Sequence, residues 1–486
     1  MNANTNQWDI LLNTTRRKNQ AEGKPRTPVP SEARTEIERD YDRILFSTPV
    51  RRLADKTQVF PLDKNDSVRT RLTHSHEVSN LARSIGTTLA FDKEIAGNQK
   101  HFFRNIPSLL ASIGLVHDLG NPPFGHQGEA AIQSWFKDNE NAVLNRDSDG
   151  LSLQQKLDFL KFEGNAQGFR LVTRLQLLND SYGLNLTYAT LSAMMKYPIS
   201  SDKTDSDGAA ACKKHGFFYS EQSIAEEVQK STGLEIGKRH PLAYVMEACD
   251  DIAYVVLDAE DAIKKGLASF SDLISYLKHH ANGDEIVLSV TSDSLDRHGK
   301  FREQQPNLSP SELNDVSMQL FRVYSISKMI QGATTAFIEN KDTFINGSQT
   351  KTLMKMSNGE TLRKLLKDFS IKHAYNHRTV LELELEGYNV IRLLMDIFWL
   401  AISDIEDPSK PSSKRRHPFT RYVYGRISEN YRRIYEDTTT VTSDRYRECL
   451  LLTDMISGMT DSFALNLCKE LSPLYRQFKL DRTDPR

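Results

Sequence analysis

His74, Val78, Leu81, Ala82, Ile85 and Leu89 recur at the spacing of one helix face, so an imidazole stands on an apolar stripe. Such a stripe is buried, and a buried imidazole without a partner loses hydration for nothing. The same 3.6-residue rhythm runs through most of the 486 residues. It predicts further helices over 151–162, 166–179, 187–196, 221–232, 241–266, 310–340, 359–370, 379–404, 419–436 and 444–471. Pro107 is placed to open one more, the nearly unbroken apolar run PSLLASIGLVHDLG, with Gly120, Pro122 and Pro123 to stop it. His117 and Asp118 then occupy its last turn. The chain reads as all-α with little sheet.

Residues 18–40 are charged and carry three prolines, which predicts a surface arm over 1–40 and a folded body starting near Tyr41. Polar, turn-rich stretches at 200–211, 298–310 and 406–418 read as loops. With 63 Lys+Arg against 64 Asp+Glu there is no global field to attract nucleic acid, so an anion site has to be built locally. Cys212, Cys249, Cys449 and Cys468 are widely spaced, which excludes a zinc knuckle or a dense disulfide framework and fits a reducing cytoplasm. No segment supplies the ~18 uncharged apolar residues of a membrane span.

Within LVHDLGNPPFGHQGE (115–129) a His-Asp pair is followed by a second histidine and a glutamate. At a helix end such a pair is ordinarily a capping feature. Here it has company: His74 lies on its own core-facing stripe, and PLAYVMEACDDIAYVVLDAEDA (241–262) sets carboxylates inside an apolar helix. Imidazoles and carboxylates converging in this way suit a divalent metal ion. His76, His101, His215 and His240 lack this convergence and read as surface or internally satisfied histidines.

RLTHSHEV, LVHDLGNPPFGHQGE and EACDDIAYVVLDAEDA together resemble three signature blocks of the HD-domain deoxynucleoside triphosphate triphosphohydrolases, the bacterial dGTPase family. RRLADKTQVFPL and KYP (Lys196 to Pro198) extend the resemblance over about 45–266, and LELEGYNVI and ISGMTDSFAL continue it more loosely. It implies an HD-domain helical core over 41–270 and a carboxy-terminal helical region over 271–486 that completes the substrate pocket and oligomer contacts. His74, His117 and Asp118 would be ligands to a divalent ion (Mg, Mn or another transition metal), with a fourth from Asp250 or Asp251. Asp250, Tyr254 and Asp258 share a helix face at i, i+4 and i+8 while Asp251 points about 100° away, which favours Asp250.

The resemblance further implies hydrolysis of dGTP or other dNTPs at the α-phosphorus, to deoxynucleoside and intact triphosphate. His126 and Glu129, three apart on one helix face, look like the family's catalytic pair. Gln58 and Asp258 would bind the sugar 3′-hydroxyl, and Tyr254 would pack on the deoxyribose. Arg71 suits a phosphate through paired guanidinium bonds, with Asn165, Lys196 and Tyr197 as further phosphate-side residues. Tyr388 is a candidate for the sugar or base pocket. Asn121 departs from the sterile-alpha-motif branch, which has histidine there. The expected setting is cytoplasmic nucleotide metabolism, in a homo-oligomer, with single-stranded DNA as a candidate effector and no membrane association. Two rival readings are an HD phosphohydrolase for another nucleotide ester, and a non-catalytic regulator binding nucleotide or single-stranded DNA through KRRHPFTRYVYGR (414–426).

Overall fold

The computed structural model describes residues 6–23, 33–60, 68–145, 150–176, 181–439 and 442–483. Among them the fold is all-α: isolated bridges join Arg16 to Thr187, Thr57 to Thr70 and Ile405 to Arg415, and no strand ladder forms. None of the described helices is long and apolar enough to cross a membrane.

The scaffold of the His74 region is a pair of helices, Arg71–Thr87 and Lys100–Val116, in intimate contact. Glycine sets their approach, since a Cβ on Gly114 would lie 2.7 Å from Ser79 Cα. Pro107 does not open the second helix as its position suggested. It sits seven residues inside, where a Cβ on Gly86 would lie 2.9 Å from its Cα. The proline forfeits one helical hydrogen bond, and packing of the two helices at this crossing sustains it.

The Pro241–Lys264 helix, buried along most of its length, crosses both, and Pro310–Glu339 and Glu360–Ser370 pack along it. Arg378–Ser403 lies against Gly125–Asp138, and a single hydrophobic cluster extends from Trp8 to Phe478. The amino-terminal stretch is more tied down than its composition suggested. Trp8, Leu11 and Leu12 are buried, and Arg16 is buried on Asp40 at 2.7 Å. The body begins before Tyr41, in a helix Glu36–Leu45 opened by a Thr35/Glu38 capping box. Pro25, Pro28 and Pro30 of the expected arm lie outside the described residues.

Two helices, Phe270–His280 and Glu285–Gln304, were not anticipated, and the second runs into the stretch read as a loop from 298. Its buried positions are few (Val287, Val290, Thr291, Ser294), so its apolar stripe is faint. The expected long helices at 419–436 and 444–471 are each broken in two, at Arg426–Ser428 and Gly458–Thr460.

Candidate metal centre and catalytic pair

The helix contact at Gly114 brings the ends of two elements together: His74 and His117 meet edge to face, ring centroids 5.5 Å apart. His117 caps the Lys100–Val116 helix, and its Nδ1 donates to Gly114 O at 2.7 Å. In the neutral imidazole, the form that ligates a cation, that bond keeps the proton on Nδ1 and leaves the lone pair on Nε2. Nε2 is buried without a hydrogen-bond partner, 3.6 Å from Asp118 Oδ1 and 3.5 Å from Asp250 Oδ1. Asp250 Oδ1 is also 3.2 Å from His74 Nε2. His74, His117 and Asp118 offer ligand atoms that all lie within 4.8 Å of one another.

Asp118 is steered from both sides, accepting from Arg71 Nη1 at 2.8 Å and from Asn121 Nδ2 at 2.5 Å. Burial would raise its pKa, but Arg71, His117 and His74 outweigh that and hold it down at about 2. Burial likewise works against a charged His117, yet Asp118 and Asp250 raise it to about 9. Asp250 is held well below the ordinary carboxylate range, its burial overcome by His117, His74 and Lys196. Two ionised carboxylates and a buried imidazole nitrogen with no protein partner form a donor set that fits a divalent cation. Asp251 faces elsewhere; burial pushes its carboxyl up to about 6 against the pull of Lys196.

After Pro123 the chain turns through two left-handed residues, Phe124 (φ 60°) and Gly125 (φ 57°), into the Gly125–Asp138 helix. A Cβ on Gly125 would come within 2.9 Å of Arg71 Nη2, so Arg71 spans both halves of the 115–129 stretch. His126 Nδ1 lies 3.4 Å from Glu129 Oε2, with the imidazole 83% exposed and the carboxylate buried. Glu129 Oε1 accepts from Gly164 N at 2.8 Å. Although burial opposes it, the hydrogen bond to His126 and the charge of Lys214 keep Glu129 low. Asn165 donates to Glu163 at 2.7 Å, and Lys214 pairs with the same glutamate at 2.7 Å. Glu163 and Lys214 were not foreseen, because neither sits in a patterned motif.

On the opposite side, Asp258 is buried and accepts from the Tyr375 hydroxyl, and the Tyr254 and Tyr375 rings lie 6.1 Å apart. Tyr375 ends a π-helical turn, Ile371–Tyr375, and sequence reading missed it, since no spacing links it to the Asp250 helix. Gln58 is half-buried, with Oε1 lacking a partner. Lys196 Nζ reaches Asp250 Oδ2 at 3.5 Å and Glu247 Oε1 at 3.7 Å. Tyr197 lies under the Arg239 guanidinium, 5.5 Å from its ring centroid. Tyr388 stands apart: its hydroxyl donates to Ser134 at 2.9 Å, about two turns along the helix from His126. The histidines read as ordinary divide. His76 and His101 are exposed and His240 is satisfied by Leu11 O and Leu242 N, but His215 is buried with Nε2 unpartnered. Within the KRR spot Arg415 is buried on the Tyr424 ring and bonded to three carbonyls, while Lys414 and Arg416 are exposed.

A helical body that gathers a histidine, a His-Asp pair and a distant aspartate into one pocket defines an HD-domain hydrolase, and a family model described as HD domain matches residues 71–160. Over 479 residues the chain is 35% identical to a deoxyguanosinetriphosphate triphosphohydrolase-like protein of Listeria monocytogenes, covering 96% of this chain and 99% of that one. A relative of the same description from Listeria innocua is 36% identical over the same span. A probable deoxyguanosinetriphosphate triphosphohydrolase of Pseudomonas aeruginosa is 34% identical, covering 90% of this chain and 93% of its own. The chain belongs to the deoxyguanosinetriphosphate triphosphohydrolase-like family of HD-domain proteins.

Proposed function

We propose that the protein hydrolyses dGTP or other deoxynucleoside triphosphates at the α-phosphorus, releasing deoxynucleoside and intact triphosphate. The observation that carries this reading is the unpartnered, buried His117 Nε2 among His74, Asp118 and Asp250, one turn-rich segment away from the His126–Glu129 pair. These four residues would hold the divalent ion, which when bound supplies charge screening and polarises a phosphoryl oxygen.

The chain's own groups account for the rest. Water attacks the α-phosphorus, the bond from phosphorus to the 5′-oxygen breaks, and that oxygen leaves with a proton. His126 is the donor or positioning group, and Glu129 orients its ring and stabilises the imidazolium. Arg71, whose Nε is buried without a partner, has a donor left for a phosphate while Nη1 holds Asp118. Lys196 adds positive charge beside Asp250, with Tyr197 alongside it.

On the sugar side, Gln58 Oε1 is an acceptor without a donor, suited to the 3′-hydroxyl. Asp258 is the second acceptor, and Tyr254 and Tyr375 wall the deoxyribose where a 2′-hydroxyl would crowd them. Because Tyr375 comes from beyond residue 270, the carboxy-terminal region completes the pocket of the 41–270 core. Tyr388, held on Ser134, and Asn165, held on Glu163, serve the frame of the His126–Glu129 pair in this reading. The reading extends to a cytoplasmic homo-oligomer in nucleotide metabolism, with single-stranded DNA as a candidate effector.

Incubating the purified protein with Mg²⁺ or Mn²⁺ and each dNTP in turn tests the reading. Deoxynucleoside plus tripolyphosphate is the expected outcome; diphosphate release, or no turnover of any dNTP, overturns it.

A further inference from the structure

The loop that carries Asp118 and His126 is fastened to the carboxy-terminal helices by three polar side chains. Lys56, 3% exposed, donates from its Nζ to Asn121 O at 2.5 Å and to Ser457 O at 2.8 Å. Thr57 donates to Asp461 Oδ2 through its backbone N–H at 2.9 Å and through its hydroxyl. The other oxygen, Asp461 Oδ1, accepts from Phe124 N at 2.9 Å.

The two tied atoms, Asn121 O and Phe124 N, flank the PP turn, and each leads directly to a functional group. Asn121 holds Asp118 through its side chain at 2.5 Å. Phe124 adopts φ 60° immediately before the His126 helix, and its ring is pressed on Gly387, where a Cβ would lie 2.4 Å from the ring. A left-handed, non-glycine residue persists only where its surroundings over-determine it. A buried amine is costly to desolvate: burial brings Lys56 down to about 7 against the pull of Asp461, and packing alone would be served by an apolar side chain. Arg52, donating to Gly458 O at 2.9 Å, adds a further tie between the stretch that carries Lys56 and Thr57 and the carboxy-terminal segment.

The geometry points to Lys56, Thr57 and Asp461 as positioning residues: a clamp by which the carboxy-terminal segment 457–461 sets the placement of Asp118 and His126. Gln58 follows the clamp directly in sequence, so the sugar contact and the loop's anchor share one short segment. The inference rests on the functional reading only for the roles of Asp118 and His126.

Its test uses full-length Lys56→Met and Asp461→Asn variants with Mn²⁺ and dGTP, alongside amide hydrogen exchange of the Mn²⁺-loaded proteins. Asp461→Asn keeps the side chain's volume and one acceptor, and so reports even if Lys56→Met fails to fold. At saturating Mn²⁺ the clamp predicts that kcat falls roughly ten- to a hundredfold while KM moves by less than about threefold. It also predicts faster exchange confined to 118–126, with the Lys100–Val116 helix still protected. Unchanged kcat in Asp461→Asn, or exchange that rises evenly across the body, overturns it. If the wild type turns over no dNTP, the functional reading fails, and the exchange measurement still decides on the clamp.

Discussion

The two halves of residues 115–129 are built differently. Around His117 and Asp118 the protein has already arranged its partners: Gly114 O fixes one imidazole nitrogen, Arg71 and Asn121 grip the carboxylate, and His74 and Asp250 close the pocket. His126 is 83% exposed, and its described hydrogen bond is a long one, 3.4 Å to Glu129. The ligand half is thus a product of folding, preorganised by packed helices. In the half proposed for proton transfer only the carboxylate is fixed, and the proposed mechanism leaves a bound substrate to complete the rest. Catalytic hydrogen bonds that are loose in the free protein and tighten on binding follow this pattern.

The largest effect is expected in the ligand half. His117→Ala or Asp118→Ala should abolish stoichiometric Mn²⁺ binding and lower turnover by roughly a thousandfold or more, read by elemental analysis and product release. Retained metal in either variant would break the contrast. His126→Ala should lower kcat by roughly a hundredfold while metal content stays at the wild-type level. Were metal lost with it, the two halves would not be separable. Tyr375→Phe removes the donor to buried Asp258, and a loss of about 1 kcal/mol corresponds to roughly fivefold in kcat/KM, with metal content unchanged. An equal effect on a dNTP and on the 3′-deoxy analogue would remove Asp258 from the sugar contact.

The smallest effect, a few degrees in melting temperature, touches neither half. Burial pushes His240 down to about 4 and His215 to about 3, so both are neutral in the folded chain at pH 6. The unfolded chain takes up these protons as the pH falls below about 6.5. Their contribution to stability is therefore present above about 6.5 and lost progressively toward 4. The melting temperature of the metal-free protein should fall between pH 7 and pH 5, as measured by calorimetry; a temperature unchanged over that range would contradict it.

What the sequence disclosed follows the same divide. The gathering of His74, His117 and Asp118 was legible because periodicity puts His74 on an apolar stripe and the family resemblance joins it to a His-Asp pair that alone would read as a cap. Helix-face geometry favoured Asp250 over Asp251. The long buried helices were legible from the same periodicity. Tyr375, Glu163 and Lys214 were not, since each reaches the site through tertiary packing from segments with no periodic or spacing signal. Pro107 misled because proline favours a helix start locally, whereas the Gly86 crossing sustains it in the interior. The polar Glu285–Gln304 helix was hidden by its own surface composition.

The most direct measurement follows the oxygen. With Mn²⁺-loaded wild-type protein, dGTP and water enriched in the heavy oxygen isotope, attack at the α-phosphorus predicts the label in the tripolyphosphate and none in deoxyguanosine. Label in orthophosphate or diphosphate, with deoxyguanosine phosphates as the other products, would contradict the account.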